Sequence, residues 1–536
     1  MHARSAAQRV HLWYGAACAM HTSAPSASHQ MVYVLSARGQ DVTSVGNISP
    51  RVPATGAVAL CVRITGHESA RQLYVSCAVE NRQRAGRYET MEEFHLGMDD
   101  IDSPRGGCTT HFASLLAEDL TNLGVTWLDY PNLIRLNPNV PYRTRGNGAV
   151  VLRFRAPPDV GNTVLENVEQ AIEKYVEHDY PNTNPGVVLV RGRPPSEMSK
   201  LSALAEWRVL AIDVVRRFLS RHHIAHISRG NGRGIVGATA AVGNRLLDDC
   251  TFEFIAYRSL EDTAHERGVD VESVYEMNRR MKGKTFSNID PQTGSVLIQP
   301  HGPDPVIYGI RGDSPSDLVE AASLVRCHQT IERWTIFRTN QGTGEHLRHL
   351  VRISDLRPYM AAVVRGRVER RGIMTEGGHL IFTISDDAGT IDCAVYEPTG
   401  EFREVAASLI PGDIIEVHAG VRPASRTHGM TLNVEGLNVV ALVENVILSN
   451  PLCPQCGKRM KSAGREKGFK CTKCGYRDAS LEKVREVVPR HIHPRLYLPP
   501  PRAQRHLTRP YERLGVRNVL ENTVPTLTWL SSHGKT

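Results

Sequence analysis

The alternation of apolar and polar positions divides the 536-residue chain into unlike parts. From Phe94 to Gly97 a short apolar run predicts a strand that ends on Asp99, Asp100 and Asp102. Pro104, Gly106 and Gly107 then mark a turn. Phe112, Leu115, Leu116 and Leu120 recur three to four positions apart, which predicts a helix starting near Cys108 to Thr110. Ser202 to His223 reads as one amphipathic helix with His222, His223 and His226 at its solvated end. Between Thr285 and Pro315 two short strands flank a loop with His301, Gly302 and Asp304, and Arg311, Gly312 and Asp313 form a second loop. From Met360 to about Leu442 three alternating strands, a short helix and two more strands follow the order of an OB-fold. The first ninety residues lack sustained periodicity and carry no motif. They are either a small extra domain or upstream sequence from an over-extended start, because Met91 opens a natural first strand.

Charge and composition add little to this division. Hydrophobic residues make up 41% and charged residues 22%, with a net charge of +8 that suits a phosphate-bearing partner. No apolar run approaches the length of a transmembrane helix, so no membrane role is expected. Eleven cysteines in so long a chain do not make a disulfide scaffold. Four of them, Cys453, Cys456, Cys471 and Cys474, form two C-x-x-C knuckles, each followed by glycine. That spacing predicts a closed tetrahedral Zn²⁺ site in a basic ribbon, and a reducing, cytoplasmic setting. After Val488 the chain is rich in Arg and Pro, which reads as a disordered basic arm for RNA or as a fragment without a role.

The chemistry gathers around two features. Asp99, Asp100 and Asp102 precede a helix start, where carboxylates can hold Mg²⁺ while backbone N–H groups face an anion. Thr109 and Thr110 sit where a hydroxyl can bind metal, cap the helix or accept a phosphoryl group; an acidic turn before a capped helix would look the same. Arg-Gly-Asn-Gly occurs twice, at Arg145–Gly148 before a strand and at Arg229–Gly232 before a Gly/Ala-rich helix. Glycines let a nucleotide approach the backbone, and Arg145, Arg229 and Arg233 bring charge for its phosphates, with Asn147 and Asn231 beside them. Asp304 and Asp313, with His301 nearby, are candidates for a cationic substrate.

The ordered motifs GMDDIDSPRGGCTTHFA, LNPNVPYRTRGNGAV, SRGNGRGIVGA, TFEFIAYR, PHGPDPVIYGIRGDSP and RWTIFRTNQGTGEHL, followed by an OB-fold and a zinc ribbon, resemble the archaeal tRNA(Ile) 2-agmatinylcytidine synthetases, or agmatidine synthases. The resemblance runs from about Met91 to about Arg477; TFEFIAYR departs from the usual Tyr and Leu without losing apolar character. It implies an α+β multidomain chain: a kinase-like α/β domain (91–230), a ferredoxin-like domain (231–345), a five-stranded OB-fold barrel (358–445) and a zinc ribbon (450–480), leaving 1–90 as an extension and 485–536 as a basic tail. It further implies a ligase that uses ATP and agmatine on the wobble cytidine of the isoleucine tRNA with anticodon CAU, through a phosphorylated cytidine, with no obligatory protein partner. Alignment of CTT makes Thr109 the phosphorylated threonine, with Thr110 the alternative, and places Asp99, Asp100 and Asp102 around ATP and Mg²⁺. Two other readings compete: a non-enzymatic nucleic-acid-binding protein and a small-molecule kinase. The acidic loop and both Arg-Gly-Asn-Gly turns favour the ligase over the first, and the C-terminal modules favour it over the second.

Overall fold

The computed structural model describes residues 91–143, 145–177, 180, 182–259, 267–520 and 523–532. Expectations for residues 1–90 lie outside the described residues. The rest begins with strand β1 (Glu92–Asp99), helix α1 (Thr109–Asn122), β2 (Thr126–Trp127), β3 (Asn132–Arg135), β4 (Gly148–Ala156), helix α2 (Pro158–Tyr175) and β5 (Gly186–Arg191). Helices α3 (Ser196–Ala205) and α4 (Ile212–Arg221), β6 (Ala225–Ser228) and helix α5 (Gly234–Gly243) follow. Next come β7 (Thr251–Tyr257), α6 (Val271–Arg280), β8 (Thr285–Phe286), β9 (Val306–Gly312), α7 (Pro315–Leu324) and β10 (Arg333–Thr339). Their strands join in one sheet of order β6-β5-β1-β4-β3-β10-β7-β9-β8, in which β3 and β10 are parallel. The kinase-like and ferredoxin-like segments therefore share a continuous sheet.

Period-two alternation builds both faces of that sheet. Phe94, Leu96 and Met98 of β1 and Val150, Leu152 and Phe154 of β4 pack with α1 and α2 residues such as Phe112, Leu116 and Val168. Val151 of β4 and Val188 of β5 pack on the opposite face against Ile235, Ala238 and Val242 of α5. Helix α5 thus belongs physically to the sheet that precedes it in sequence.

The single helix expected over 202–223 is two helices, interrupted at Glu206 to Ala211. Trp207 explains the break: its ring joins the OB-fold core and stacks on His349 at 4.0 Å, which a continuing helix would not allow. Arg311 and Gly312 are likewise the last residues of a strand, not a loop.

The OB-fold forms as expected, from β11 (Ala361–Met374), β12 (Leu380–Asp386), β13 (Gly389–Val395), helix α8 (Glu401–Ala407), β14 (Ile414–Arg422) and β15 (Thr431–Ala441). Parallel pairing of β13 with β15 closes the barrel. The C-terminal segment corrects the picture of a disordered arm. Leu496–Tyr497 pairs with β15, and Leu530–Ser532 pairs with β10. Its arginines reach buried carboxylates: Arg490 to Asp413 (2.6 Å), Arg502 to Asp290 (2.9 Å) and Arg509 to Asp249 (2.6 Å). The Arg/Pro-rich composition reads as disorder, but each of these arginines has a partner across the fold, and Trp529 is buried against Trp127.

Candidate active site and zinc ribbon

A cavity of about 810 Å³ opens where β1, the start of α1, the two Arg-Gly-Asn-Gly turns and the loop before β9 converge. Ten of the predicted residues line it: Asp99, Asp100, Asp102, Thr109, Thr110, Arg145, Asn147, Asn231, Arg233 and Asp304. Three do not. Arg229 pairs with Glu169 and Glu173 on the surface. His301 is exposed outside the lining. Asp313 is held by the buried Arg513 at 2.8 Å.

The acidic loop is strained and crowded. Asp100 adopts a left-handed φ of 58°, held by an Asn184 Nδ2 bond to its Oδ2 (3.2 Å). Burial, and then the neighbouring carboxylate of Asp100, raise the Asp99 carboxyl well above its usual range. Burial raises Asp100 to about 6. Two half-buried carboxylates so displaced would suit a hard cation, because a bound cation would relieve both burdens. The anion side is present at α1, which starts at the cavity wall without a side-chain cap; at the α5 start the Arg233, Gly234, Ile235 and Val236 N–H groups already have acceptors. Thr109 and Thr110 do not cap their helix.

Thr109 Oγ1 donates to Asp102 Oδ1 (3.2 Å), and Arg145 Nη2 donates to Asp102 Oδ2 and the Gly107 carbonyl (both 2.7 Å). Arg145 also lies 3.5 Å from Asp304, which Arg267 approaches at the same distance. Burial raises the Asp304 carboxyl despite both arginines. Thr110 Oγ1 faces Cys108 Sγ at 3.0 Å instead.

Several residues in or behind the wall carry no signal in the sequence. Asn184, within Asn182-Thr-Asn-Pro-Gly186, looks like turn filler. It binds Asp100 through Nδ2 and accepts the Asn231 N–H at Oδ1 (2.9 Å), joining the acidic loop to the second Arg-Gly-Asn-Gly turn. The Arg233 guanidinium lies over Tyr142, 4.4 Å from its ring centre. Arg135, Glu253 and His506 come from a strand, another strand and the C-terminal segment. Only their meeting in three dimensions identifies them.

Gly237 sets the tolerance of the acidic loop. A Cβ there would fall 1.9 Å from Asp99 Oδ2, whereas one at Gly106 would meet nothing within 4 Å. Gly237→Ala is expected to lower stability by about 1–3 kcal/mol by overpacking, while Gly106→Ala stays within about 0.5 kcal/mol of wild type. Thermal melts of the two variants side by side check this, and equal melting would contradict it.

The four cysteines meet at the ribbon. Their Sγ atoms all lie within 4.8 Å of one another, with Cys453–Cys474 at 3.4 Å and Cys456–Cys471 at 3.5 Å. Tetrahedral Zn–S bonds of about 2.3 Å put sulfurs about 3.8 Å apart, so the set fits zinc with no position left open. Gly457 and Gly475 take left-handed φ values of 68° and 79° in the two knuckles. Stripping the metal with a strong chelator is expected to unfold residues 450–480, removing binding energy on the order of 10 kcal/mol. Protease susceptibility of the ribbon with and without chelator measures this. No helix among the described residues is long and apolar enough to cross a membrane.

Family models match in the same order as these elements: the TiaS TCKD domain over 95–232, the TiaS FLD domain over 232–346, an OB-fold nucleic acid binding domain over 362–440, and the TiaS C-terminal zinc ribbon over 450–492. The tRNA(Ile) 2-agmatinylcytidine synthetase TiaS of Staphylothermus marinus is 41% identical over 429 residues, covering 78% of this chain and 94% of that one. That of Methanosarcina acetivorans is 40% identical, covering 79% and 98%. A crystal structure of TiaS in complex with its isoleucine tRNA and ATP superposes with a TM-score of 0.72 at 37% identity, covering 80% of this chain and 99% of that one. A complex of TiaS with the same tRNA, AMPCPP and agmatine gives 0.69 at 35%, with the same coverage. Similarity of this depth over nearly the full length of its relatives, together with four matching domains in order, means that the chain belongs to the tRNA(Ile) 2-agmatinylcytidine synthetase family.

Proposed function

We propose that this chain is an ATP-dependent ligase that attaches agmatine to the wobble cytidine of the isoleucine tRNA with anticodon CAU, forming agmatidine so that AUA codons are read. The observation that carries the reading is the convergence of the acidic loop, the Thr109 hydroxyl, Arg145, Asn231, Arg233 and Asp304 on one cavity. The relatives crystallised with an isoleucine tRNA, ATP or its analogue, and agmatine supply the three substrates. A non-enzymatic binding protein would have no use for that convergence. The Zn²⁺ thiolates suit a reducing compartment, so the enzyme works in the cytoplasm.

The cytosine ring carbonyl is urea-like and loses its oxygen poorly. Phosphoryl transfer from ATP to that oxygen makes a leaving group; the neutral amine of agmatine then attacks the same carbon, the C–N bond forms, and phosphate departs. Arg145, Asn231, Arg233 and the uncapped α1 start hold the ATP phosphates. Asp99, Asp100 and Asp102 would hold Mg²⁺, which would supply charge neutralisation for the phosphates. Asp102 accepts the Thr109 hydroxyl proton, which prepares that oxygen to receive a phosphoryl group. Asp304 holds the guanidinium of agmatine in a charge-assisted fork, leaving the amine free.

Incubating zinc-replete protein with ATP, Mg²⁺, agmatine and unmodified tRNA, then weighing the wobble nucleoside, tests the reading. An agmatine adduct is the expected result; tRNA bound but unmodified would overturn it. Asp304→Asn is expected to raise the agmatine KM about tenfold or more, as loss of a charged hydrogen bond does. Asp313→Asn should instead lower the melting temperature and leave that KM unchanged. The reverse pattern would move agmatine to Asp313.

A further inference from the structure

Among the described residues, the wall of the cavity formed by β3, β9 and the C-terminal segment gathers three arginines around one directly paired carboxylate, Glu253, with Glu435 and Asp102 acting from further off. Arg135 ends β3, Arg143 follows it, Arg311 lies on β9 and His506 enters from the returning segment; all four line the cavity. The Arg135 and Arg311 side chains are only 14% and 17% exposed. Both lean on a single carboxylate, Glu253, at 3.8 and 3.6 Å, and Glu253 also accepts from Gln341. Arg143 Nε is spent on the Pro138 carbonyl (2.6 Å), and Arg135 Nε has no hydrogen-bond partner among the described residues. His506 is exposed at the cavity edge, where the field of Arg135 and of the other arginines lowers its pKa, so it adds a polar edge without relieving the charge. Half-buried like charges of this kind carry a cost that a bound anion would relieve.

The Gly146 turn packs closely beneath this charge. A Cβ on Gly146 would fall 2.7 Å from Arg135 Nη1 and 2.8 Å from His506 Nε2, so only glycine lets the guanidinium and the imidazole close over this turn. Arg135 also lies within electrostatic reach of Asp102 and Cys108, at the α1 start.

We infer that Arg135, Arg143, Arg311 and His506 form a second phosphate subsite in the cavity, and that it holds a backbone phosphodiester of the RNA strand beside the wobble nucleotide. The inference rests on the ligase reading for the identity of the RNA. Planar guanidinium forks suit phosphate oxygens, and a base taken out of its stack must have its backbone fixed. The triphosphate of ATP falls to Arg145, Asn231, Arg233 and the α1 start, none of which belongs to this set. A phosphate group is the shared chemistry of both ligands, so the experiment must separate them.

Full-length, zinc-replete protein and its Arg311→Gln, Arg311→Lys and Gly146→Ala variants would be titrated with an isoleucine tRNA anticodon stem-loop bearing CAU, over a salt series, and separately with ATP. For Arg311→Gln, RNA affinity should fall about tenfold and the salt slope should become shallower by about one, with ATP affinity within about twofold of wild type. Arg311→Lys should recover part of the loss, and Gly146→Ala should weaken RNA binding without removing charge. RNA affinity and slope unchanged in folded Arg311→Gln would overturn the subsite. Loss of ATP affinity alone would overturn the RNA assignment. If Arg311→Gln does not fold, unchanged RNA affinity in both Arg311→Lys and Gly146→Ala overturns the proposal. Wild-type protein that binds the stem-loop but makes no agmatidine would sink the ligase reading, and the phosphate subsite would still be judged on its binding data.

Discussion

Arg513→Ala is expected to destabilise the protein by about 3 kcal/mol, at the lower end of the range for breaking a buried ion pair. The Arg513 side chain is 2% exposed and that of Asp249 is fully buried. One guanidinium there binds Asp249, Asp313 and the Gly342 carbonyl, tying the C-terminal segment to two loops of the large sheet. Arg509 and the Asn518 N–H would still reach Asp249, which is why the cost stays below the upper end. Acid should loosen the same contacts. Burial alone would raise Asp249, but hydrogen bonds from Arg513 and Asn518 outweigh it and hold the carboxyl below its ordinary value. Arg502 does the same for Asp290 and Arg490 for Asp413 against the same opposing burial. A folded pKa below the unfolded one means that the folded state binds fewer protons, so this stability is present above about pH 4 and is lost as pH falls through the folded values. Fluorescence of Trp127 and Trp529, followed by denaturant and by acid, measures both effects. A wild-type melting curve and acid midpoint in Arg513→Ala would mean that the segment is only loosely attached.

Local signals in the sequence are sufficient wherever chemistry and periodicity coincide within a few residues. The strand-acidic loop-helix unit at Phe94 to Leu120, the five OB strands and the two cysteine knuckles are of that kind. They fail where a residue's partner lies far along the chain. Trp207 breaks a helix that its own periodicity favours, because its partners are in the OB-fold. The arginines after Val488 have the composition of a solvated arm, yet Asp249, Asp290 and Asp413 bury beneath them. Asp304 and Asp313 look equivalent in two Pro/Gly-flanked turns. Only the fold shows one facing the cavity and the other committed to Arg513. Asn184 and His506 illustrate the same limit inside the site, since neither residue type nor spacing marks them before the chain is closed around the cavity.

Thr109→Ala is expected to cut agmatidine formation on the order of 10³-fold, the scale of losing a group that takes part directly in chemistry, while the melting temperature stays close to that of wild type. The stability half of this expectation follows from the helix start. Thr109 is the first residue of α1 and makes no capping bond there, so removing its hydroxyl takes away only the contact to Asp102. Asp102 keeps Arg145, and the carboxylate does not become an unpaired charge. The activity half follows from direction. The Thr109 hydroxyl already points its proton at a carboxylate that lines the cavity, whereas the Thr110 hydroxyl faces the Cys108 thiol, a weak partner. Thr109→Ser, which keeps the hydroxyl, should therefore retain much of the activity, and Thr110→Ala should lose far less than Thr109→Ala. Intact-protein mass after incubation with ATP adds an independent readout: one phosphoryl increment is expected in wild type and in Thr109→Ser, and none in Thr109→Ala. If Thr109→Ala kept both the increment and the activity while Thr110→Ala lost them, the acceptor would be Thr110, and Asp102 would have to serve the metal alone.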